Sequence, residues 1–510
     1  MIKNILEYLE ESAGKFPDKI AFADAGEAVT YAALMERAKR IGTKLAGLGT
    51  KGRPVAIVIE KSAAAMAAFM GSIYSGNFYV PIDVEMPKHR IDTILMTLSP
   101  IAIVYQERNA KLVESLSFNG IGIAYEEGVK EPVDEIRLQA IRRESIDTDP
   151  IYALFTSGST GIPKGVVVCH RSVIDYADWV VDTFALDEHT VFGNQTPFYF
   201  SMSVLDIYST LRSAATIYLI PKNLFMFPIK LLEFIEEKKI NTIYWVPSAL
   251  CMVANLRALE KITPECLQNI LFAGEVMPTR QLNLWRHHLP QARYSNLFGP
   301  TEITDIGIYY TLDREFEDDE PIPIGKACDN VDVFVLNEQN QVVGSDSDEI
   351  GELYVRGSFL AHGYYNNPAK TQEAFVQNPL NTSYPEVVYK TGDLVRWNTR
   401  GELVYVSRKD FQIKHMGYRI ELGEIEAAIS AMPGMELCVC IYDEKKDKIV
   451  LLYQGDTITK KEILAAARER LPHYMIPNAI RQYEEMPLNE NGKINRKFLK
   501  ENYDKSCNGE

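Results

Sequence analysis

The chain is poor in everything that would tie it to nucleic acid, an oxidising compartment or a bilayer. Its 54 basic residues are outnumbered by 69 acidic ones, giving a net charge of −15, and no block of like charge dominates. Contacts along a nucleic-acid backbone are therefore not expected. Cysteine is sparse: seven residues in 510 (Cys169, Cys251, Cys266, Cys328, Cys438, Cys440 and Cys507), odd in number and scattered. No C-x-x-C metal pair occurs. The one close pair, in "ELCVCIYD", reads as a strand whose two cysteines share a face. Reduced thiols in a cytoplasmic protein are the expectation. Long hydrophobic runs are missing too, since the most apolar helix candidate, "AAAMAAFMGSIY", is too short to span a bilayer. The amino-terminal "MIKNILEYLEESAGKF" carries acids along an amphipathic helix and does not suit a signal peptide. Neither internal repeats nor low-complexity segments appear.

What is present is a long, apolar-rich chain with material for two or more hydrophobic cores. Strand-length apolar runs alternate with helical patterns, as in "PVAIVI", then "EKSAAAMAAFMGSIYSG", then "FYVPID". That alternation predicts a mainly α/β architecture with parallel sheets. The helix "IKLLEFIEEKKI" leads into the strand "NTIYWVPS" in the same way. After about Gly351 the texture changes to alternating strands, "GELYVRG" and "GELVYVSRKD". The last hundred or so residues have a compact α+β pattern, and a boundary is placed where a strand ends in charge, at Lys409 and Asp410. The expected domains are therefore 1–409 and 410–510, with the tail "NYDKSCNGE" frayed.

One stretch demands a chemical explanation. "YALFTSGSTGIPKGVVVCH", 152–170, sets four hydroxyl residues, three glycines and a lysine between two apolar runs. Glycine amides and hydroxyls can donate several hydrogen bonds to oxyanions while a lysine adds a point charge, so the loop suits a phosphate cradle. It lacks the G-x-x-x-x-G-K-[ST] spacing of the common P-loop, because Pro163 precedes Lys164 and Gly165 follows it. Taken alone, such a loop also suits a mobile linker.

It is followed and preceded by further matches. "TSGSTGIPKG" at 156–165 resembles the loop of the adenylate-forming superfamily, which includes acyl-CoA synthetases, luciferases and nonribosomal peptide synthetase adenylation domains. "VTYAAL" (29–34), "YSGNFYVPID" (74–83), "NLFGPTE" (296–302), "GELYVRG" (351–357), "YKTGDLVRW" (389–397), "SRKDFQIKHMGYRIELGEIE" (407–426), "LPHYMIP" (471–477) and "NGKINR" (491–496) appear in the order that the family has them. The flavour of "SVLDIYSTL" and of the 410–426 segment is closest to free-standing amino-acid:carrier-protein ligases, such as D-alanine:carrier-protein ligase.

The resemblance implies a large amino-terminal domain of two packed, mainly parallel sheets with a β-barrel-like subdomain, and a small mobile α+β carboxy-terminal domain. It implies an ATP- and Mg2+-dependent reaction in which a small amino or carboxylic acid becomes an acyl-adenylate and is then captured by a thiol. Carried over position by position, Thr156, Ser157, Gly158, Thr160 and Lys164 contact phosphates, Thr301 does likewise, and Glu302 is the magnesium ligand. Asn296, Phe298 and Gly299 flank adenine; many relatives have tyrosine at 298, so a hydroxyl is lost there. Asp393 grips the ribose, Arg408 is a second nucleotide contact, and Lys493 bridges the substrate carboxylate and the α-phosphate. Asp410 matches the hinge, although the glycine that usually precedes the hinge-side arginine is Ser407 here.

For the acyl pocket the resemblance implies a lining of Ser201, Met202, Leu205, Tyr244, Leu271, Ala273, Leu297, Asp305 and Ile306, closed by Lys493. Amino-acid-activating relatives carry aspartate in an F-D-x-S segment to pair with the α-ammonium, and here the stretch is "FSMS". A serine cannot neutralise an ammonium. The Leu, Tyr, Leu, Ala, Leu succession resembles L-prolyl:carrier-protein ligases. Asp305 is the exception to an apolar wall, either a substitute for the missing carboxylate or a helix-capping or solvent-facing acid. No phosphopantetheine-bearing module is seen after "NGKINRKFLK", so a separate carrier protein is the expected thiol donor, with coenzyme A as the alternative. A non-catalytic nucleotide-binding descendant is disfavoured, because Lys493, Glu302 and Asp393 are all present.

Overall fold

The structure is a computed structural model and describes residues 2–158, 162–410, 412–430, 432–455, 457–487 and 494–503. It divides into two compact units. The first comprises Met1–Val84, Thr97–Leu154 and Gly165–Lys409; the second comprises Glu85–Met96, Phe155–Lys164 and Asp410–Glu510.

Two large sheets dominate. Among the described residues the wider has nine strands, ordered Lys326–Ala327, Ile308–Thr311, Arg293–Phe298, Asn269–Phe272, Thr242–Trp245, Val191–Asn194, Thr216–Leu219, Ile20–Ala23 and Ala28–Thr30. Its middle is parallel and both its edges are antiparallel. The second has seven, from Gly363–Tyr364 through Lys164–Cys169, Pro150–Thr156, Phe78–Pro81, Pro54–Val58 and Ala102–Tyr105 to Ile121–Ala124. The central strands "PVAIV", "TIYW" and "NILF" are buried at every position, which is why they read as unbroken apolar runs rather than alternating ones. The mainly parallel α/β architecture expected from the sequence is the one found. From Val331 on the chain also forms a third sheet, which among the described residues has five antiparallel strands: Val331–Leu336, Gly351–Gly357, Phe375–Gln377, Val387–Trp397 and Leu403–Arg408.

The helix Ala63–Tyr74 is buried along its whole length. Ser62 caps it, its side chain accepting from Ala65 N at 3.4 Å. Its alanines and glycine let it approach the helix Tyr31–Ala46 closely. A Cβ on Gly71 would lie 2.7 Å from Ile41 Cγ2, and one on Gly42 would lie 2.6 Å from Tyr74 Cβ. Gly71→Val should therefore lower unfolding stability by about 1–3 kcal/mol, read as a shift in the urea midpoint at constant slope. An unshifted midpoint would show that the crossing can relax.

In the second unit a three-stranded sheet, Leu437–Asp443, Lys448–Gln454 and Ala479–Gln482, packs against the helices Leu422–Ser430 and Lys460–Arg470. Cys438 and Cys440 meet the same apolar cluster, so they share a face. No helix among the described residues is long and apolar enough to cross a membrane.

Candidate active site

The strand Arg293–Phe298 runs out of the nine-stranded sheet into a tight turn. Gly299 sits so close to the returning chain that a Cβ there would be 2.3 Å from the main-chain oxygen of Asp305. Pro300 then opens a short 3-10 segment, Thr301–Ile303. Thr304 follows at φ 71°, ψ −59°, and Asp305 N donates to Ile303 O at 2.9 Å. This is the rare, strained form of γ-turn, held by a β-branched residue, and such conformations cost on the order of 1–3 kcal/mol. The surroundings hold it in place: Thr304 Oγ1 donates to Phe359 O at 2.8 Å and Tyr152 Oη donates to Thr304 O at 3.4 Å. Its effect is to bury two carboxylates, Glu302 and Asp305, three residues apart.

Each carboxylate has its own partners. Tyr364 Oη donates to Glu302 Oε1 at 2.7 Å, and Ala361 N donates to the Glu302 main-chain oxygen at 2.9 Å. Tyr176 Oη and Tyr244 Oη donate to Asp305 Oδ2, at 2.7 and 3.2 Å. Asp305 is 1% exposed, so it is neither solvent-facing nor a surface cap. Sequence reasoning missed both Tyr364 and Tyr176. The first follows a glycine in a two-residue strand, and the second lies on the buried face of the helix His170–Phe184.

Met202, Leu205, Tyr244, Leu271, Ala273, Leu297 and Ile306 are all buried in one apolar cluster. Tyr244 and Leu271 are direct partners on neighbouring parallel strands. Ser201 is half-buried, and Thr301 Oγ1 donates to its hydroxyl at 3.3 Å. Beside Leu205 the sequence hid another carboxylate. Asp206 is wholly buried, and Asn194 Nδ2 donates to its Oδ2 at 2.7 Å. Lys61 Nζ donates in turn to Asn194 Oδ1 at 3.0 Å. Burial pushes the Asp206 carboxyl up and the Lys61 ammonium down, while the charge of each partly restores the other.

The nucleotide-facing candidates in the first unit are pre-positioned by backbone pairing. Asp393 and Arg408 are opposite one another on adjacent strands. Arg408 Nη1 donates to Asp393 Oδ1 at 3.0 Å and to Thr391 O at 2.7 Å. Asn296 Nδ2 is committed to Pro323 O at 2.8 Å. The Phe298 ring is nearly covered and tilts against Tyr405 with centroids 5.9 Å apart. In the second unit, Thr156 Oγ1 is buried without a hydrogen-bond partner among the described residues. An orphaned hydroxyl of this kind is what a phosphate oxygen would satisfy. Ser157 Oγ donates to Arg419 O at 2.8 Å, and a Cβ on Gly158 would lie 2.1 Å from Ile162 O. Lys164 opens the strand Lys164–Cys169, and Asp410 Oδ1 accepts from Gln412 N at 3.2 Å. Thr160 and Lys493 lie outside the described residues. No cluster of three or more His, Cys, Asp or Glu side chains suited to a metal occurs among the described residues.

Comparison with known proteins matches residues 9–365 to the AMP-binding enzyme family and 424–493 to the AMP-binding enzyme C-terminal domain. Tyrocidine synthase 1 of Brevibacillus parabrevis is 30% identical over 504 residues, which is 98% of this chain and 45% of that protein. The chain thus spans less than half the length of that relative. The adenylation domain AlmE of Vibrio cholerae, solved with glycyl-adenosine-5'-phosphate, has the same fold, with a TM-score of 0.83 and 21% identity over 99% of this chain and 98% of that one. So does holo-PA1221, a nonribosomal peptide synthetase protein containing adenylation and PCP domains, with a TM-score of 0.80 and 23% identity over 98% of this chain and 84% of that one.

Proposed function

The chain belongs to the AMP-binding enzymes, as an ATP-dependent, AMP-forming ligase of the nonribosomal peptide synthetase adenylation type, and from that premise we propose that it activates a small amine-bearing carboxylic acid and loads it onto the phosphopantetheine thiol of a carrier protein. The observation that carries the reading is the strained turn that buries Glu302 and Asp305 together.

A carboxylate and a triphosphate repel one another, so the site must offset negative charge before they can react. Thr156, Ser157 and Lys164 would bind the outer phosphates, and the orphaned Thr156 hydroxyl suits that task. Glu302 would hold magnesium. The buried Glu302 carboxylate, an oxygen ligand, suits an ion that takes its other ligands from phosphates and water. When bound, the ion neutralises charge on the phosphates. Asp393, oriented by Arg408, would receive the ribose hydroxyls. Lys493 would stabilise the charge that accumulates between carboxylate and α-phosphorus.

The acyl end follows from Asp305. Two tyrosine hydroxyls fix one oxygen of the Asp305 carboxylate, and a carboxylate fixed in this way at the pocket wall would suit a substrate ammonium placed at the Asp305 end, away from Ser201. A proline-like ring nitrogen or a β-amino group would suit.

The test is pyrophosphate exchange into ATP with magnesium across a panel of amino and carboxylic acids. Acid-dependent exchange is expected; silence across the panel would overturn the enzymatic reading. Holo carrier protein and coenzyme A offered side by side identify the thiol. In the same assays Asp410→Pro should keep exchange while cutting thiol loading at least tenfold, because proline fixes φ at the hinge. Equal loss of both half-reactions would reject Asp410 as the hinge.

A further inference from the structure

Ser201, Met202 and Leu205 lie on one excursion of the chain, 195–205, which leaves the end of the strand Val191–Asn194 and returns in the first turn of the helix Ser203–Ser213. Asn194 and Asp206 stand at its two ends. Asn194 Nδ2 donates to Asp206 Oδ2 at 2.7 Å across twelve positions of sequence, so this hydrogen bond closes the excursion at its neck. Lys61, from the chain between the strand Pro54–Val58 and the helix Ala63–Tyr74, grips the same neck. Its Nζ donates to Asn194 O at 3.3 Å, to Asn194 Oδ1 at 3.0 Å and to Gln195 O at 3.1 Å. An ammonium has three protons, and these three oxygens use them all. Within the excursion Ser203 Oγ donates to Phe200 O at 2.6 Å and Val204 N to Ser201 O at 2.8 Å. The turn is thus braced internally, and its placement follows from how its ends are held.

The neck is in register with the pocket wall. Asn194, Tyr244 and Leu271 are direct partners on three adjacent parallel strands, so their side chains face the same side of the sheet. Met202 has helical φ and ψ at the N-cap, four residues before Asp206. Positions so spaced share a helix face, and a helical side chain leans toward the preceding turn, which sets the Asp206 carboxyl beneath Met202. Asp206 is wholly buried, yet its Oδ1 has no hydrogen-bond partner among the described residues. A buried carboxyl with an idle oxygen is costly, so stability alone is a poor account of it.

We propose that Lys61, Asn194 and Asp206 are positioning residues for the acid, a neck that sets how far Met202 and Leu205 stand from Tyr244 and Leu271 and thereby which size of acid fits. The inference rests on the reading of these residues as the acyl pocket. Burial pushes the Asp206 carboxyl up to about 8, so near neutral pH the position calls for an acceptor facing Asn194 rather than a full negative charge.

Pyrophosphate exchange with the preferred acid, and with a homologue one methylene longer, tests the neck. Asp206→Leu should raise KM for the preferred acid about tenfold, the scale of one buried hydrogen bond, and shrink the preference over the homologue several-fold. KM for ATP should stay within about twofold. Lys61→Met should act alike from the other side of the neck, without touching the helix. Asp206→Asn, whose amide oxygen still accepts from Asn194, should stay within about threefold of wild type. The double variant Lys61→Met/Asp206→Leu should be no worse than the poorer single, because both cut one tie. A poorly folded variant loses kcat while KM still reports on its folded fraction. An unchanged KM for the acid in Lys61→Met and Asp206→Leu, a KM for ATP rising in step with it, or equal harm from Asp206→Asn and Asp206→Leu overturns the neck. Absence of exchange in wild type with every acid would instead strike the adenylation reading itself.

Discussion

Lys493→Ala is expected to lower acid-dependent pyrophosphate exchange by about 100- to 1,000-fold, the scale of losing one preorganised charge partner in a transition state. The loss should fall on kcat, with the KM for ATP changing only a few-fold, because the proposed reading gives the phosphates to the 156–164 loop and to magnesium on Glu302, and the ribose to Asp393. An ammonium between carboxylate and α-phosphate gains most when negative charge peaks at the pentavalent stage, which is why ground-state binding is spared. Transfer to thiol from chemically prepared acyl-adenylate should be nearly unaffected. Exchange at wild-type rates in the variant would remove Lys493 from the adenylation step.

Asp305→Asn should cost about 3–5 kcal/mol in kcat/KM for the native acid, on the order of a hundred- to several-thousandfold, expressed mainly in KM. The substitution nearly preserves shape, so Tyr176 and Tyr244 keep an acceptor while an ammonium bound as proposed would lose its counter-charge. An analogue of the same acid without the amine should be turned over equally by wild type and variant. The companion change Ser201→Asp should move preference toward ordinary α-amino acids, since it restores a carboxylate where amino-acid-activating relatives have one. If Asp305→Asn leaves the kinetics of the native acid untouched, the pocket takes an acid without an amine.

The α/β plan was legible because parallel strands covered on both faces cannot alternate, and "TIYW" and "NILF" do not. Glu302 could be singled out as a candidate because "NLFGPTE" fixes its place after a strand, whereas the sequence left open whether Asp305 was a pocket carboxylate or a capping acid, and only its burial excludes the surface reading. The partners of both stayed hidden. Tyr364 reaches Glu302 across 62 residues and Tyr176 reaches Asp305 across 129, so nothing local marks either tyrosine. Asp206 hid inside "SVLDIYSTL", where one acid on a helix looks solvated until its face proves to be wholly buried. Thr304 was the least legible of all, because a β-branched residue is among the last choices for positive φ. The grouping of 85–96 and 155–164 with the carboxy-terminal residues was likewise hidden, since it arises from long-range contacts alone.

The γ-turn at Thr304 also bears on how this enzyme could acquire a new substrate. One rigid bend of backbone orients both Glu302, proposed to serve nucleotide chemistry, and Asp305, proposed to read the acid, and Gly299 leaves it no slack. A change inside that bend alters both tasks at once, so its descendants should be dominated by loss. Leu205, Leu271 and Ala273 stand on a regular helix and beside regular strands. Exchanges there resize the pocket and leave the bend alone. Retargeting by selection or design therefore has an open route through the pocket walls and a closed one through the turn.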